Sequence, residues 1–185
     1  MRAPAVTGLW CALVLLLAGC SERFDWREWR SPDGYSVLLP GRAQTVTREV
    51  EFEKHRLPVT MTSTGIGAAM FAVGVVQLPA AVHADAAARE RAITYFRDAL
   101  VRNIGGTVSA TGPAALALPP GSGRAIRANQ AIEARGRTAD GRPAALAARF
   151  FIVDDRLFEV IAMGGDGSID PLALETFFTS FRLQP

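Results

Sequence analysis

Cys20 is the residue whose type and position most directly predict chemistry in this 185-residue chain. It follows an uncharged apolar run, residues 6–18, and the polar segment Ser21-Glu22-Arg23 comes immediately after it. The run is too short to span a bilayer, and with Arg2 before it the pattern is typical of a cleavable export signal. The only other cysteine, Cys11, lies inside the run. We therefore expect no internal disulfide in the chain that follows the signal.

The segment Leu17-Ala18-Gly19-Cys20 resembles the lipobox of bacterial lipoproteins, in which the cysteine becomes the mature N-terminus. The resemblance implies that residues 1–19 are a lipoprotein signal peptide and that Cys20 carries two or three acyl chains. Two chains are enough for stable attachment to a membrane, whereas one is marginal. Ser21 is not Asp, which by the same resemblance favours the periplasmic face of the outer membrane if the organism has two membranes. We therefore expect a protein of the bacterial cell envelope, anchored by lipid on Cys20.

The rest of the sequence contains no recognisable catalytic or metal-binding pattern. His55 and His83 are the only histidines, and neither stands at the spacing of a zinc site. No Gly-x-Ser-x-Gly elbow is present. Gly121-Ser122-Gly123 lacks the lysine and the following helix of a phosphate-binding loop, so we interpret it as a turn. We predict no catalytic residue, no metal site and no cofactor.

The paired acids are better explained by structure than by chemistry. Asp154 and Asp155 are adjacent, so they would point to opposite faces of a strand or form a hairpin turn. Asp166 and Asp170 provide too few carboxylates for a calcium loop, and Asp170 is well placed to cap a helix. The formal net charge is only +2, so no nucleic-acid partner is indicated.

The pattern of elements predicts one α+β domain over residues 31–185, with a largely antiparallel β-sheet packed against helices. One helix follows Asp85 and ends at Gly105-Gly106, and a second follows Asp170 with Pro171 at its first position. Residues 68–78 are almost entirely apolar, which predicts a central strand covered on both faces. Further extended segments are predicted at 35–39, 45–52, 57–64, 107–118, 124–134, 144–153 and 157–163.

Residues 20–30 are expected to be the lipidated cysteine and a short tether. Phe24, Trp26 and Trp29 interrupt this tether. They could pack on the domain as a first edge strand, or they could contact lipid headgroups, because Trp is favoured at membrane interfaces.

Several segments resemble a group of bacterial lipoproteins related to PsbP, the extrinsic protein of photosystem II. The matching segments are mostly turn and core residues, so the resemblance implies a fold and transfers no active-site residue. The implied fold is an α/β/α sandwich, an antiparallel sheet between helical layers, and the implied role is docking onto larger assemblies. The matching segments are Ser31-Pro32-Asp33-Gly34-Tyr35-Ser36-Val37, Leu39-Pro40-Gly41, Ile104-Gly105-Gly106, Phe151-Ile152-Val153-Asp154-Asp155-Arg156-Leu157 and Phe177-Phe178-Thr179-Ser180-Phe181-Arg182-Leu183.

Three functions are compatible with the sequence. The favoured one is a non-enzymatic module that docks onto another envelope protein or complex. The second is a binder of a small or lipidic ligand in a groove beside the sheet, with residues 68–78 as its floor. The third is an enzyme with an unrecognised site built from Arg, Asp and either Tyr35 or Tyr95. A buried acid in a cleft would favour the enzyme, and an apolar pocket with converging polar groups would favour the binder.

Overall fold

The computed structural model describes residues 24–185. None of the helices in these residues is long and apolar enough to cross a membrane. The helices are α1 (Ala80–His83), α2 (Ala86–Asn103) and α3 (Pro171–Ser180). The strands are β1 (Arg27–Ser31), β2 (Tyr35–Leu39), β3 (Gln44–Phe52), β4 (His55–Ile66), β5 (Ala69–Gln77), β6 (Thr107–Gly112), β7 (Ile126–Arg137), β8 (Pro143–Val153), β9 (Arg156–Gly165) and β10 (Arg182–Leu183).

The main sheet has seven strands in the order β3-β4-β5-β9-β8-β7-β6, and each neighbouring pair is antiparallel. A smaller sheet has the order β1-β2-β10, again antiparallel. The domain is therefore α+β with a mainly antiparallel sheet, as the sequence predicts. The α1 helix, of only four residues, was not predicted.

The main sheet buries both of its faces. One face packs against α1 and α2, and the other packs against α3 and the smaller sheet. Side chains alternate between the faces of a strand, so in β5 Ala72 and Val76 join the first cluster while Phe71 and Val73 join the second. All four are fully buried. This confirms that the apolar segment is a central strand.

Both long helices begin at the predicted caps. The Asp85 carboxylate accepts a hydrogen bond from the Ala88 N–H at 2.7 Å. The Asp170 carboxylate accepts from the first free N–H groups of α3, at 2.9 and 3.0 Å. These N–H groups have no partner inside the helix, so the carboxylates replace the missing acceptors. The α2 helix ends before Gly105, whose φ of 50° lies in the left-handed region.

Two turns follow the sequence closely. Gly34 closes the β1–β2 turn with φ of 79°, and its N–H donates to the Ser31 carbonyl at 3.1 Å. The β8–β9 hairpin turns through Asp154 and Asp155 alone, with Asp154 at φ of 56°. Arg156, expected in this connection, instead begins β9.

Two segments differ from the prediction. The extended segment 107–118 is a strand only as far as Gly112, because Pro113 has no N–H to continue the ladder. The next N–H, of Ala114, donates to the Asn129 side chain at 2.8 Å instead. Residues 27–30, assigned to the tether, belong to β1, with Trp29 opposite Val37. β1 is an edge strand of the smaller sheet, which was the alternative stated for the aromatic residues.

Candidate functional site

The predicted lipidation site, Cys20, and the signal segment 1–19 lie outside the described residues. The described chain begins at Phe24, four residues after Cys20. Phe24 and Trp26 contact each other, with ring centroids 5.6 Å apart, and Trp26 meets Phe71 edge-on at 6.5 Å. Together with Trp29 they pack against the cluster beneath α3 and the smaller sheet. These aromatic residues therefore contact the domain, which was one of the two expected alternatives.

The paired acids Asp154 and Asp155 have local structural roles. Asp154 forms an ion pair with Arg124 at 2.8 Å, and Asp155 accepts a hydrogen bond from Gln77 at 2.7 Å. The two acids therefore bind the β8–β9 turn to Arg124, which precedes β7, and to Gln77 at the end of β5. Within residues 24–185 no group of three or more His, Cys, Asp or Glu side chains could hold a metal ion.

The two tyrosines considered for catalysis are committed to packing and hydrogen bonding. Tyr35 is 1% exposed and contacts the rings of Phe158 and Phe181, and burial raises its pKa above the ordinary value. Tyr95 donates its hydroxyl hydrogen to the Glu51 carbonyl oxygen at 2.6 Å. This bond ties α2 to the β3 strand.

Sequence reasoning missed two charged residues in the centre of the main sheet, Arg149 on β8 and Glu159 on β9. A single charge inside an otherwise apolar strand was the available signal. Although β8 and β9 are neighbours, Arg149 lies opposite Val160, whereas Glu159 lies opposite Phe150. Side chains of adjacent positions point to opposite faces of a sheet. The two charges therefore lie on different faces and form no ion pair.

Glu159 is a buried acid on the α2 side of the sheet. It is 2% exposed, and burial raises its pKa to about 7. Its Oε1 has no hydrogen-bond partner among the described residues. Gly74, directly opposite on β5, makes room for it, because a Cβ there would lie 2.7 Å from the Glu159 Oε2. Glu159 does not line the two cavities beside Arg149 or the cavity at the end of α2.

Arg149 lies between two adjoining cavities on the α3 side of the sheet. The first, of about 340 Å³, lies between α3 and strands β6, β7 and β8, and the second, of about 560 Å³, lies beside residues 114–117. Both are lined by Arg149 and Phe178, and we call the two together the Arg149 groove. The guanidinium carbon lies 4.3 Å from the centre of the Phe178 ring, and burial lowers the pKa of Arg149.

A third cavity, of about 790 Å³, opens at the end of α2. Its charged residues are already paired, Arg142 with Asp140 at 2.7 Å and Asp166 with Arg135 at 2.8 Å. Ala68 and Met70, at the start of the 68–78 segment, line this cavity. The remaining residues of β5, except the exposed last one, are covered by the clusters on the two faces of the sheet.

The two edges of the main sheet differ in their exposure and regularity. The β3 strand pairs with β4 through nine consecutive residue pairs without a bulge, and every residue from Gln44 to Glu49 is exposed. Val46, the third residue of β3, is 49% exposed. The β6 strand at the other edge is shorter, and a bulge interrupts it between Val108 and Ala110. The β3 strand is therefore the longer and more regular edge.

Comparisons with known proteins show little. No family model matches the chain, and no curated protein sequence matches it. The chain is similar to the crystal structure of PA94, a Pseudomonas aeruginosa protein of unknown function, at 10% identity and a TM-score of 0.37. That alignment covers 81% of this chain and 86% of PA94.

Proposed function

We propose that this chain is a lipid-anchored protein of the bacterial cell envelope, acylated on Cys20, whose domain docks without catalysis onto another envelope protein. In an organism with two membranes it lies at the periplasmic face of the outer membrane. Placement of α2 on one face of the sheet and α3 on the other is consistent with a PsbP-like sandwich, a group with docking roles. The observation that carries the docking proposal is the edge strand β3.

The β3 strand has one neighbour among residues 24–185, so its outer side presents unpaired N–H and C=O groups. Proteins usually protect such an edge with charged side chains, a short strand, a bulge or a proline. The β6 edge is shorter and bulged, whereas β3 has nine residues, an unbroken register and no proline, and its protection consists of the charges of Arg48, Glu49 and Glu51. An exposed edge of this kind accepts an added strand from another protein. The proposed occupant is an extended segment of an envelope protein.

The short chain between the anchor and the domain limits where that partner lies. Arg27, the first residue of β1, follows Cys20 by seven residues. At about 3.3 Å per residue these span at most about 23 Å. The domain therefore stays close to the membrane that holds the lipid, and its partner lies in or beside that membrane.

The anchor is tested by comparing the intact chain with Cys20→Ser in bacteria fed an alkyne-labelled palmitate. We expect label and membrane sedimentation for the intact chain, and loss of both for the variant. Cys11→Ser, inside the signal segment, is the matched control and should keep both. A Cys20→Ser protein that is still processed and still sediments with membranes would contradict the anchor.

Docking is tested with a photocrosslinking amino acid at Val46, and the control position is Val108 on the bulged edge, which is 41% exposed. We expect one discrete envelope protein to be crosslinked from position 46 and not from position 108. Thr47→Pro and Arg48→Pro provide the edge test, because neighbouring residues of a strand direct their N–H groups to opposite sides. One of the two prolines removes an N–H that is bonded to β4, and this variant should lose thermal stability. The other removes an N–H on the unpaired side of β3, and this variant should keep its stability but lose the crosslink.

Two results would overturn the docking proposal. One is a crosslink that persists in the proline variant that retains thermal stability, which would mean that the strand edge is not recognised. The other is a crosslinked product that contains only a second copy of this chain, which would make β3 a self-association surface.

A further inference from the structure

The Arg149 guanidinium is a partly buried charge that has no polar partner within residues 24–185. Partial burial removes some of the water around a charge, which is costly unless a polar partner replaces that water. Arg124, another partly buried arginine, follows this rule, because it pairs with Asp154 at 2.8 Å and donates to the Gln184 carbonyl. Arg149 has only the Phe178 ring, at 4.3 Å. A ring beneath the guanidinium plane leaves its N–H donors free for a ligand.

The floor beside Arg149 is built from small residues. Gly112 of β6 lies opposite Ala131 of β7, which lies opposite Arg149, so the three share one face of the sheet. Ala147, two residues before Arg149 on β8, lines the same cavity. Larger side chains here would fill the space between the strands and α3. The small ones leave a trough of about 340 Å³, within the size range of ligand pockets.

The charges around the groove fix the position of an anion. Glu133 and Glu175 line the first cavity but are exposed, and neither forms an ion pair with Arg149. They repel a negative group from the outer part of that cavity. Arg182 lines the second cavity, just beyond Arg149. An anion is therefore favoured at Arg149, where the two cavities meet.

We infer that the Arg149 groove binds a single-chain anionic amphiphile, with its anionic head on the guanidinium and its acyl chain along the trough floored by Gly112, Ala131 and Ala147. A carboxylate or a phosphate matches the paired donors of a guanidinium. The head therefore comes from a free fatty acid or from a lysophospholipid. An acidic peptide fits less well, because an apolar floor leaves its backbone amides without partners. This site is separate from the β3 edge and goes beyond docking.

The test uses the full-length lipidated protein in phosphatidylcholine nanodiscs and a palmitate that carries a photoreactive diazirine at the end of its chain. We expect saturable crosslinking, mapped by mass spectrometry to peptides of β6, β7 or α3. Unlabelled palmitate and lysophosphatidylglycerol are compared as competitors, and the stronger one identifies the source of the head group. Hexadecanol, which has the chain without the charge, should compete poorly.

Two variants separate the head from the chain. Arg149→Gln removes the charge and should weaken binding about tenfold or more, as expected for a lost hydrogen bond to a charged group. Gly112→Leu should block the trough while keeping the charge, and it has room, because a Cβ there meets nothing within 4 Å. Arg102→Gln, an exposed position on α2, is the matched control and should bind like the unmodified protein.

Three results would overturn the inference: absence of saturable crosslinking, equal competition by hexadecanol, or unchanged binding by a folded Arg149→Gln or Gly112→Leu variant. Thermal unfolding of each variant checks that it is folded. If Arg149→Gln does not fold, the binding measured for Gly112→Leu tests the proposed site. Arg149→Gln should leave the Val46 crosslink intact. Failure of this site and failure of the docking proposal are thus distinguished.

Discussion

Glu159 makes the stability of the domain depend on pH in an unusual direction. Its carboxyl group is buried beneath α2, and burial raises its pKa from 4.5 to about 7. Between pH 4.5 and about pH 7, Glu159 has lost its proton in the unfolded chain but keeps it in the folded domain. Raising the pH therefore favours the unfolded state across this window. From about pH 8, one unit above the folded pKa, the group is ionised in both states and the effect is nearly complete.

The size of the effect follows from the two pKa values. Proton linkage gives a loss of about 2–3 kcal/mol in the free energy of unfolding between pH 5 and pH 8 from this one group. Glu159→Gln has nearly the same shape and does not titrate, so it removes this loss. Between pH 5 and pH 8, the free energy of unfolding of the variant should therefore rise by about 2–3 kcal/mol relative to that of the unmodified domain.

The assay is urea unfolding at pH 5 and pH 8, followed by circular dichroism, on residues 21–185 without the lipid. Comparing the two proteins at each pH cancels the titration of every other group. Glu90→Gln is the control, because Glu90 is exposed on α2 and is solvated in both states. If Glu159→Gln and the unmodified domain lose the same free energy between pH 5 and pH 8, the carboxyl group is not held protonated by burial.

Two further predictions concern the local features of the fold. Asp170→Ala removes the acceptor for two N–H groups of α3 and should cost about 1 kcal/mol of unfolding free energy; an unchanged urea midpoint would contradict the capping role. Gly136→Ala places a Cβ against the Ile104 carbonyl oxygen and the backbone of Gly106, so we expect a loss of about 1–3 kcal/mol. Gly112→Ala, with open space around its Cβ, is the control, and equal midpoints for the two glycine variants would refute this explanation.

The elements that the sequence predicts best are those specified by short-range chemistry. Asp85 and Asp170 begin their helices because a carboxylate can reach free N–H groups in the next turn. Gly34 closes its turn because it adopts positive φ easily. Interactions of this kind involve neighbours in the chain, so the residue types alone indicate them. The end of β6 before Pro113 has an equally local cause, and the missing N–H of proline could have indicated it.

The candidate sites were less predictable because they depend on which strands become neighbours. The pattern of the chain does not reveal that β5 lies beside β9, or that β3 and β6 remain at the edges. The groove depends on small residues from three strands meeting beside one arginine. Sequence reasoning noted the apolar strand 68–78 and placed a groove there, but the assembled sheet covers it on both sides.

The sequence by itself determined the lipobox resemblance at Cys20, the helix caps, the tight turns and the alternation of side chains within each strand. These depend on residue types at fixed short spacing. Only the tertiary structure decided that Arg149 and Glu159, on neighbouring strands, face opposite sides of the sheet. A register shift of one residue would have placed them together as an ion pair. Register is set by contacts across the whole sheet. Here it leaves an acid in the core, and it leaves in a groove an arginine that has no charged partner among residues 24–185.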